Sequence, residues 1–430
     1  MLVVQQLSQL SYLVSHLSKF MEVILGKFVI SIVASLCIII LLYQKNKVKN
    51  YINQLGYNSV ALFWLIFRVL PFVVIYVVLH KPTNSDVYFF YWISKFITEG
   101  KLIYRDFWMP YSPLFPYYNL IPIWIYDAKE SIVAWMLVYE LLAVIVTIAL
   151  YKKTQEKNDL IYKILLYLAL PASLGMSVLG SQEDVSLWLY VALALLVWQR
   201  TQSQFWVGVV LAIGLLFTKI LLLFPIVAFF IFFKKPFNYL AGLAIVGIPS
   251  LVILYILVQD KILAPLKIGD YAFAPNLISI ISPWVGGVSP SNKMLNNFGL
   301  MTLLIPMFGY SIKFRNKLDI QRFIPFVFCS IFLYMMVFHK SSIANYIYIM
   351  MLPILMNYTD SFTKKTWAIL LLWNITAVVQ PSIWYSIGSN FFNSVQQLSQ
   401  PLFLIDYILE VIYVASTAYF AYFIYKKSTC

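Results

Sequence analysis

Residues 84–118, NSDVYFFYWISKFITEGKLIYRDFWMPYSPLFPYY, place two carboxylates, Asp86 and Asp106, among aromatic residues. Asp86 directly precedes VYFFYWISKFI, whose apolar character predicts a helix lying in a membrane interface. An aspartate in that position can cap the helix. It can also serve as a general base, kept ionised in a partly dry site by the helix dipole. The base role is favoured, because an acid at membrane depth is costly without a function. Arg105-Asp106 can be read as a solvated pair of opposite charges. Their neighbours Tyr104, Phe107, Trp108 and Tyr111, with Pro110, Pro113 and Pro116, instead predict a packed loop able to stack a sugar face. An interfacial aromatic belt explains the same residues without chemistry.

Three other short segments carry chemistry-bearing groups. Ser181-Gln182-Glu183-Asp184 is a tight turn between apolar runs with two consecutive acids. It reads either as a helix cap or as a substrate or metal site. Lys219 stands alone between apolar runs, as a snorkelling lysine or as a cation available to a phosphate. His339-Lys340, followed by Asn345 and Tyr346, could hold an anionic leaving group at the mouth of a helix bundle. Arg68, Glu140, Lys163, Asp406 and Glu410 fall within or beside apolar runs, and Asp406 and Glu410 are one helical turn apart.

The elements that must position these groups are membrane helices. The chain has 430 residues, 62% hydrophobic and 11% charged, with mean hydropathy +0.82. Repeated apolar runs of about 20 residues predict an all-α, polytopic transmembrane bundle of about 11–13 membrane helices, with an amphipathic loop after the second. The runs are 21–43, 59–79, 131–151, 160–179, 185–198, 205–217, 220–233, 238–257, 299–312, 323–338, 345–357, 366–380 and 403–425. The 205–217 and 220–233 pair is expected to form a hairpin turning at Thr218-Lys219, since Arg200 and Lys234-Lys235 flank it.

Basic clusters at Lys45/Lys47/Lys49, Lys152/Lys153/Lys157, Lys313/Arg315/Lys317/Arg322, Lys364-Lys365 and Lys426-Lys427 thread onto one side, the expected cytoplasmic face. The net charge of +14 therefore reads as membrane topology and not as nucleic-acid binding. The opposite loops hold about nine of the 17 acids, so the working face is expected to be outward. The N-terminus lacks a basic, cleavable leader pattern, so its first apolar run is expected to stay as a helix. Cys37, Cys329 and Cys430 show no metal or redox spacing, and no disulfide is expected.

The stretch Asp86…Gly100-Lys101-Leu102-Ile103-Tyr104-Arg105-Asp106-Phe107…Tyr111-Ser112-Pro113-Leu114 resembles the first outer loop of GT-C superfamily glycosyltransferases. Gly180-Ser181-Gln182-Glu183-Asp184 is similar to the second acidic turn of that superfamily, and Gly208…Thr218-Lys219…Pro225 to its lysine-containing hairpin. Phe338-His339-Lys340…Asn345-Tyr346…Pro353 is similar to a later outer-loop signature of polyprenol-dependent mannosyltransferases. The resemblance spans residues 59–360 in order, which would make 1–58 an extra N-terminal helix with a basic loop and 361–430 a pair of C-terminal helices. The consecutive Glu183-Asp184 departs from a spaced acid pair and leaves metal dependence open.

The resemblance implies inverting transfer of a hexose, mannose among the choices, from a polyprenyl-phosphate donor to a glycan, lipid or protein acceptor. The reaction would occur on the non-cytoplasmic face of a bacterial or archaeal cell membrane. Asp86 would be the base; Lys219, Arg105 and Lys340 would neutralise the leaving phosphate. Asp106, Glu183 and Asp184 would hold sugar hydroxyls, acceptor or a divalent cation, Mg²⁺ or Mn²⁺. Tyr111, Gln182, His339, Asn345 and Tyr346 complete the expected binding set. The competing readings are a transporter or flippase of lipid-linked sugars, for which Asp406, Glu410, Glu140 and Lys163 speak, and a polysaccharide polymerase or ligase.

Overall fold

The computed structural model describes residues 2–289, 291–388 and 391–429, with side chains described from Glu22 to Ser428 within these ranges. Among the described residues the chain is helical, with no named strand. The helices that organise the molecule are α1 (Leu2–Tyr43), α2 (Lys45–Leu55), α3 (Asn58–Val78), α4 (Val87–Thr98) and α5 (Lys129–Tyr151). Then follow α6 (Lys157–Ala169), α7 (Pro171–Leu179), α8 (Val185–Thr201), α9 (Gln204–Phe217) and α10 (Ile220–Phe232). The last are α11 (Phe237–Val258), α12 (Lys293–Leu304), α13 (Ile320–Phe338), α14 (Ile347–Tyr358), α15 (Lys364–Ile387) and α16 (Pro401–Thr429). Among the described residues seven helices are long and apolar enough to cross a membrane, and eight if the bent pair α6–α7 counts as one span. The protein is therefore a multi-pass membrane protein. Helix α13 is the most enclosed of the candidate spans, while α11 keeps most of its surface outward as an apolar face for lipid.

Two departures from regular helix have local causes. Pro71 sits between π-helical turns at Leu65–Val69 and Val73–Val78 of α3, which absorb its missing N–H donor. Residues 160–179, read from sequence as one apolar run, are two helices bent by 62° at Leu170-Pro171. Pro171 cannot donate to the carbonyl of Tyr167, and a carbonyl left bare in hydrocarbon is costly. Ser173 Oγ donates to Tyr167 O, and Arg68 Nη1 donates to Leu168 O at 2.9 Å. The kink is thus closed by side chains.

Helices α9 and α11 approach at Gly208 and Gly242. A Cβ on Gly208 would lie 2.3 Å from Tyr239 O, and one on Gly242 2.0 Å from Phe205 O. Small residues permit such close packing of membrane helices.

The bundle has two chemically distinct ends. At one end Lys49 pairs with Asp159, Lys163 Nζ donates to Asp360 Oδ2 at 2.7 Å, and Lys313 Nζ donates to Tyr425 Oη at 2.8 Å. At the other end the connection 99–128 docks on the break between α9 and α10: Ser112 N donates to Thr218 O at 3.1 Å and Leu114 N to Leu216 O at 2.9 Å. The basic clusters gather at the first end, where Asp159 and Asp360 pair with lysines, and Asp86, Glu183 and Asp184 lie at the second.

Candidate functional site

The acidic end brings together four segments far apart in sequence. Asp86 occupies the N-cap position of α4, and Asp184 that of α8. Neither side chain caps its own helix. Asp86 Oδ2 instead accepts from Gln182 Nε2 at 3.1 Å, and Asp184 Oδ1 accepts from Lys219 Nζ at 2.6 Å. Glu183 Oε1 also lies 2.6 Å from Lys219 Nζ. The helix N-termini still direct their partial positive charge at these carboxylates.

The backbone before each acid adopts a conformation unusual for its residue type. Ser85 has φ +60° and Ser181 φ +47°, in the left-handed region that non-glycine residues rarely occupy. These turns aim Asp86 and Gln182 at each other, and Gln182 Nε2 also donates to Ser85 Oγ at 3.0 Å.

Lys219 is placed by the break itself: Thr218 and Lys219 separate α9 from α10 in non-helical conformations. Its ammonium lies 5.0 Å from the centre of the Tyr111 ring and 5.6 Å from that of Tyr346, between two aromatic faces that favour a cation. Tyr111 is itself fixed by stacking on Phe115 at 4.4 Å.

The charges do not balance. Three carboxylates, Asp86, Glu183 and Asp184, share one cation, Lys219, in a setting where Glu183 and Asp184 are buried. Burial is the largest influence on Asp86 and raises its pKa, and Glu183 adds to the rise; Gln182 and Lys219 act against it. Asp184 is raised by burial too, opposed by Lys219. Burial alone would lower Lys219, but Asp184 and Glu183 outweigh it and hold the ammonium protonated. Burial pushes Tyr346 up to about 12, so it is a neutral phenol.

Several buried atoms here have no hydrogen-bond partner: Glu183 Oε2, Asp184 Oδ2, Gln182 Oε1 and Ser181 Oγ. Such atoms are normally satisfied by protein, water or a ligand, and their concentration here sets this site apart. The arrangement offers a carboxylate base, several hydroxyl-binding acceptors and one fixed cation.

The other expected residues fall elsewhere. Arg105 and Asp106 pair with each other at 3.0 Å on an exposed turn, and Asp106 Oδ2 accepts from Leu102 N at 2.7 Å. Lys340 Nζ donates to Gly269 O at 2.7 Å, and its carbonyl accepts from Phe273 N at 2.8 Å, fastening the 259–276 connection. His339 Nδ1 accepts from Ser341 N at 3.1 Å, and burial, helped by Lys340, pushes its pKa down to about 4. Asn345 is half-buried beside Tyr346. So Asp86, Tyr111, Gln182, Glu183, Asp184, Lys219 and Tyr346 converge, while the side chains of Arg105, Asp106, His339 and Lys340 make their contacts in other places. Among the described residues no three of His, Cys, Asp and Glu are arranged to hold a metal ion.

Sequence reading placed Trp108 in a packed loop and Ser112 in the outer-loop motif but gave neither a contact. Trp108 Nε1 donates to Ala264 O at 3.0 Å, joining the 99–128 and 259–276 connections, and the Ser112 backbone N–H donates to the Thr218 carbonyl. The second contact is made by backbone, so no side chain announces it; the first has no signal beyond an aromatic residue in a loop. No family model, curated protein or solved structure matches the chain.

Proposed function

We propose that the chain is a membrane glycosyltransferase that moves a hexose from a polyprenyl-phosphate donor to a hydroxyl acceptor at the acidic, non-cytoplasmic end. The observation that carries this reading is the convergence of Asp86, Glu183, Asp184 and Lys219 beside buried oxygens with no protein partner. The resemblance of the same segments to GT-C outer loops points the same way. In this reading the shorter apolar helices cross the bilayer with the longer ones, giving about 11–13 crossings.

The acceptor hydroxyl loses its proton to Asp86 while its oxygen bonds to the anomeric carbon. The bond from that carbon to the phosphate oxygen breaks on the opposite face, so the configuration inverts and polyprenyl phosphate leaves. A carboxylate whose pKa is raised by burial is a stronger base than an exposed one. Lys219 donates to Asp184, lies in ion-pair contact with Glu183 and keeps N–H capacity for a phosphate oxygen. Glu183 Oε2, Asp184 Oδ2 and Gln182 Oε1 accept from sugar hydroxyls. The excess of negative charge calls for a further positive one, supplied by protons on the acids or by a divalent cation.

Incubating purified protein with radiolabelled polyprenyl-phosphate hexoses and sugar, lipid or peptide acceptors tests the proposal. Release of polyprenyl phosphate with label moved to an acceptor supports it; intact donor with every hexose and acceptor rejects it. One observation favours a transporter of lipid-linked sugars instead: Asp406 Oδ2 and Glu410 Oε1 are buried within α16 without a hydrogen-bonding donor. Proton-driven movement of donor across liposomes without sugar transfer would select that reading.

A further inference from the structure

The basic end of the bundle contains a cavity that the proposed outer-face chemistry does not use. Its volume is about 720 Å³, and it lies between the turn joining Phe314 to α13, the end of α14 and the end of α16. Lys313, Lys317, Arg322 and Lys427 line it, and no carboxylate does. The carboxylates nearest in sequence are otherwise engaged: Asp360 holds Lys163, and Asp319 caps α13 through Arg322 N. The Arg322 side chain lies 3.9 Å from Asp319, with both groups largely exposed, which leaves the guanidinium available.

The cavity wall is held by contacts of its own. Lys313 Nζ donates to Tyr425 Oη at 2.8 Å, Tyr358 and Ser428 hydroxyls are 3.0 Å apart, and Asn357 Nδ2 donates to Tyr151 Oη at 2.7 Å. Tyr310 Oη and Tyr334 Oη, 2.6 Å apart, fix the helix behind Phe314. These contacts set the spacing of α14, α16 and the Phe314 turn around the opening.

The other basic positions at this end are placed differently. Lys49 is paired with Asp159, while Lys45 and Lys157 lie over the rings of Tyr162 and Tyr57. An apolar surface adjoins the cavity: Ile305, Phe308 and Ile312 are exposed on the helical stretch leading into Phe314, and Tyr422 on α16 one turn before Lys426. Their spacing of three to four residues places the first three on one helix face.

We propose that this cavity binds the phosphate headgroup of an anionic membrane lipid, with the acyl chains against the Ile305/Phe308/Ile312 face. Cations gathered around a concave site between membrane helices at the positive side of the bilayer suit a phosphodiester, and hydroxyls of Ser361 and Tyr358 can take glycerol oxygens. A soluble phosphate would use the same cations but not the apolar face. Helix α13 separates this cavity from the acidic end by its length of 19 residues, roughly 28 Å.

The full-length protein, reconstituted in bilayers of phosphatidylcholine with a minor share of phosphatidylglycerol and then extracted, gives the test: bound lipid per protein by native mass spectrometry. The expected result is enrichment of phosphatidylglycerol over its bilayer share. It should fall at least about tenfold in Lys317→Gln/Arg322→Gln/Lys427→Gln, given roughly tenfold in affinity for even one or two such contacts. Lys47→Gln/Lys152→Gln/Lys153→Gln, with the same change of charge at the same end, should keep the enrichment, and both variants should keep the wild-type melting temperature. Phosphatidylglycerol bound only in its bilayer proportion overturns the proposal. So does equal loss in both triple variants, or displacement of the lipid by millimolar inorganic phosphate.

Discussion

Among the described residues a buried ion pair and a buried charge cluster are built in opposite ways. Within the bundle, Arg68 meets Glu140 through Nε at 2.5 Å and Nη2 at 2.8 Å. Its remaining donors go to Phe67 O, Leu168 O and Ser173 Oγ, and Tyr167 Oη donates to Glu140 at 2.9 Å. One cation faces one anion and both are saturated. At the acidic end, one cation faces three carboxylates, and several oxygens are left without partners. The saturated pair joins α3, α5 and the α6–α7 kink; it is a structural joint with no capacity for a ligand. The unsaturated cluster is costly for folding as it stands, and a guest that supplied donors or positive charge would repay that cost.

The largest effect is expected where saturation is broken. Glu140→Gln leaves Arg68 buried without its counter-charge, and such changes cost roughly 3–5 kcal/mol. Thermal unfolding in detergent should show a large drop in the melting temperature or no folded protein. A Glu140→Gln protein of wild-type stability would remove the distinction between the pair and the cluster.

Next in size is Asp86→Asn, which should reduce sugar transfer about 10²–10⁴-fold, the usual worth of a general base, and leave folding intact. Glu183→Gln sharpens the comparison from the other side. It removes one of the excess negative charges while Lys219 keeps Asp184, so its melting temperature should equal or exceed wild type even as donor binding weakens. Destabilisation comparable to Glu140→Gln would show that the cluster is a structural joint as well.

A smaller effect concerns pH. The Asp86 pKa is raised from 3.8, chiefly by burial, so the carboxylate is protonated, and inactive as a base, at pH values where an exposed aspartate would be ionised. The transfer rate should therefore rise with pH through a midpoint above 3.8. His339, pushed down to about 4, is neutral across the neutral range, so His339→Gln should leave a limb between pH 5 and 8 in place. Loss of that limb in His339→Gln would reassign it. The smallest effect is expected for Arg105→Ala, since among the described residues that side chain pairs with its exposed neighbour Asp106; transfer should stay near wild type.

The helical architecture was legible because apolar runs and basic clusters obey the solvent preferences of a bilayer. The thirteen runs lie largely in helix and a break falls at Thr218-Lys219, but against the expected 11–13 membrane helices only seven, or eight with the bent pair, among the described residues are long and apolar enough to cross a membrane. The Leu170-Pro171 bend was missed although Pro171 was in plain view, because its apolar neighbours continue the hydrophobic run and the residues that close the kink, Arg68 and Ser173, lie elsewhere in sequence. At the site, Asp86, Glu183, Asp184 and Lys219 could be named as rare charges in apolar surroundings. Their convergence could not, since it depends on left-handed turns at Ser85 and Ser181 that serine does not announce. Arg105, Asp106 and Lys340 carried the same signal of charge near aromatics, yet they fasten turns. Charge type is visible in sequence; whether a charge is saturated is visible only in three dimensions.

The most direct measurement is the rate of hexose transfer from a polyprenyl-phosphate donor by Asp86→Asn, taken beside its melting temperature. The account predicts a fall of at least about 100-fold at unchanged melting temperature. Near-normal turnover in a folded Asp86→Asn protein would contradict it.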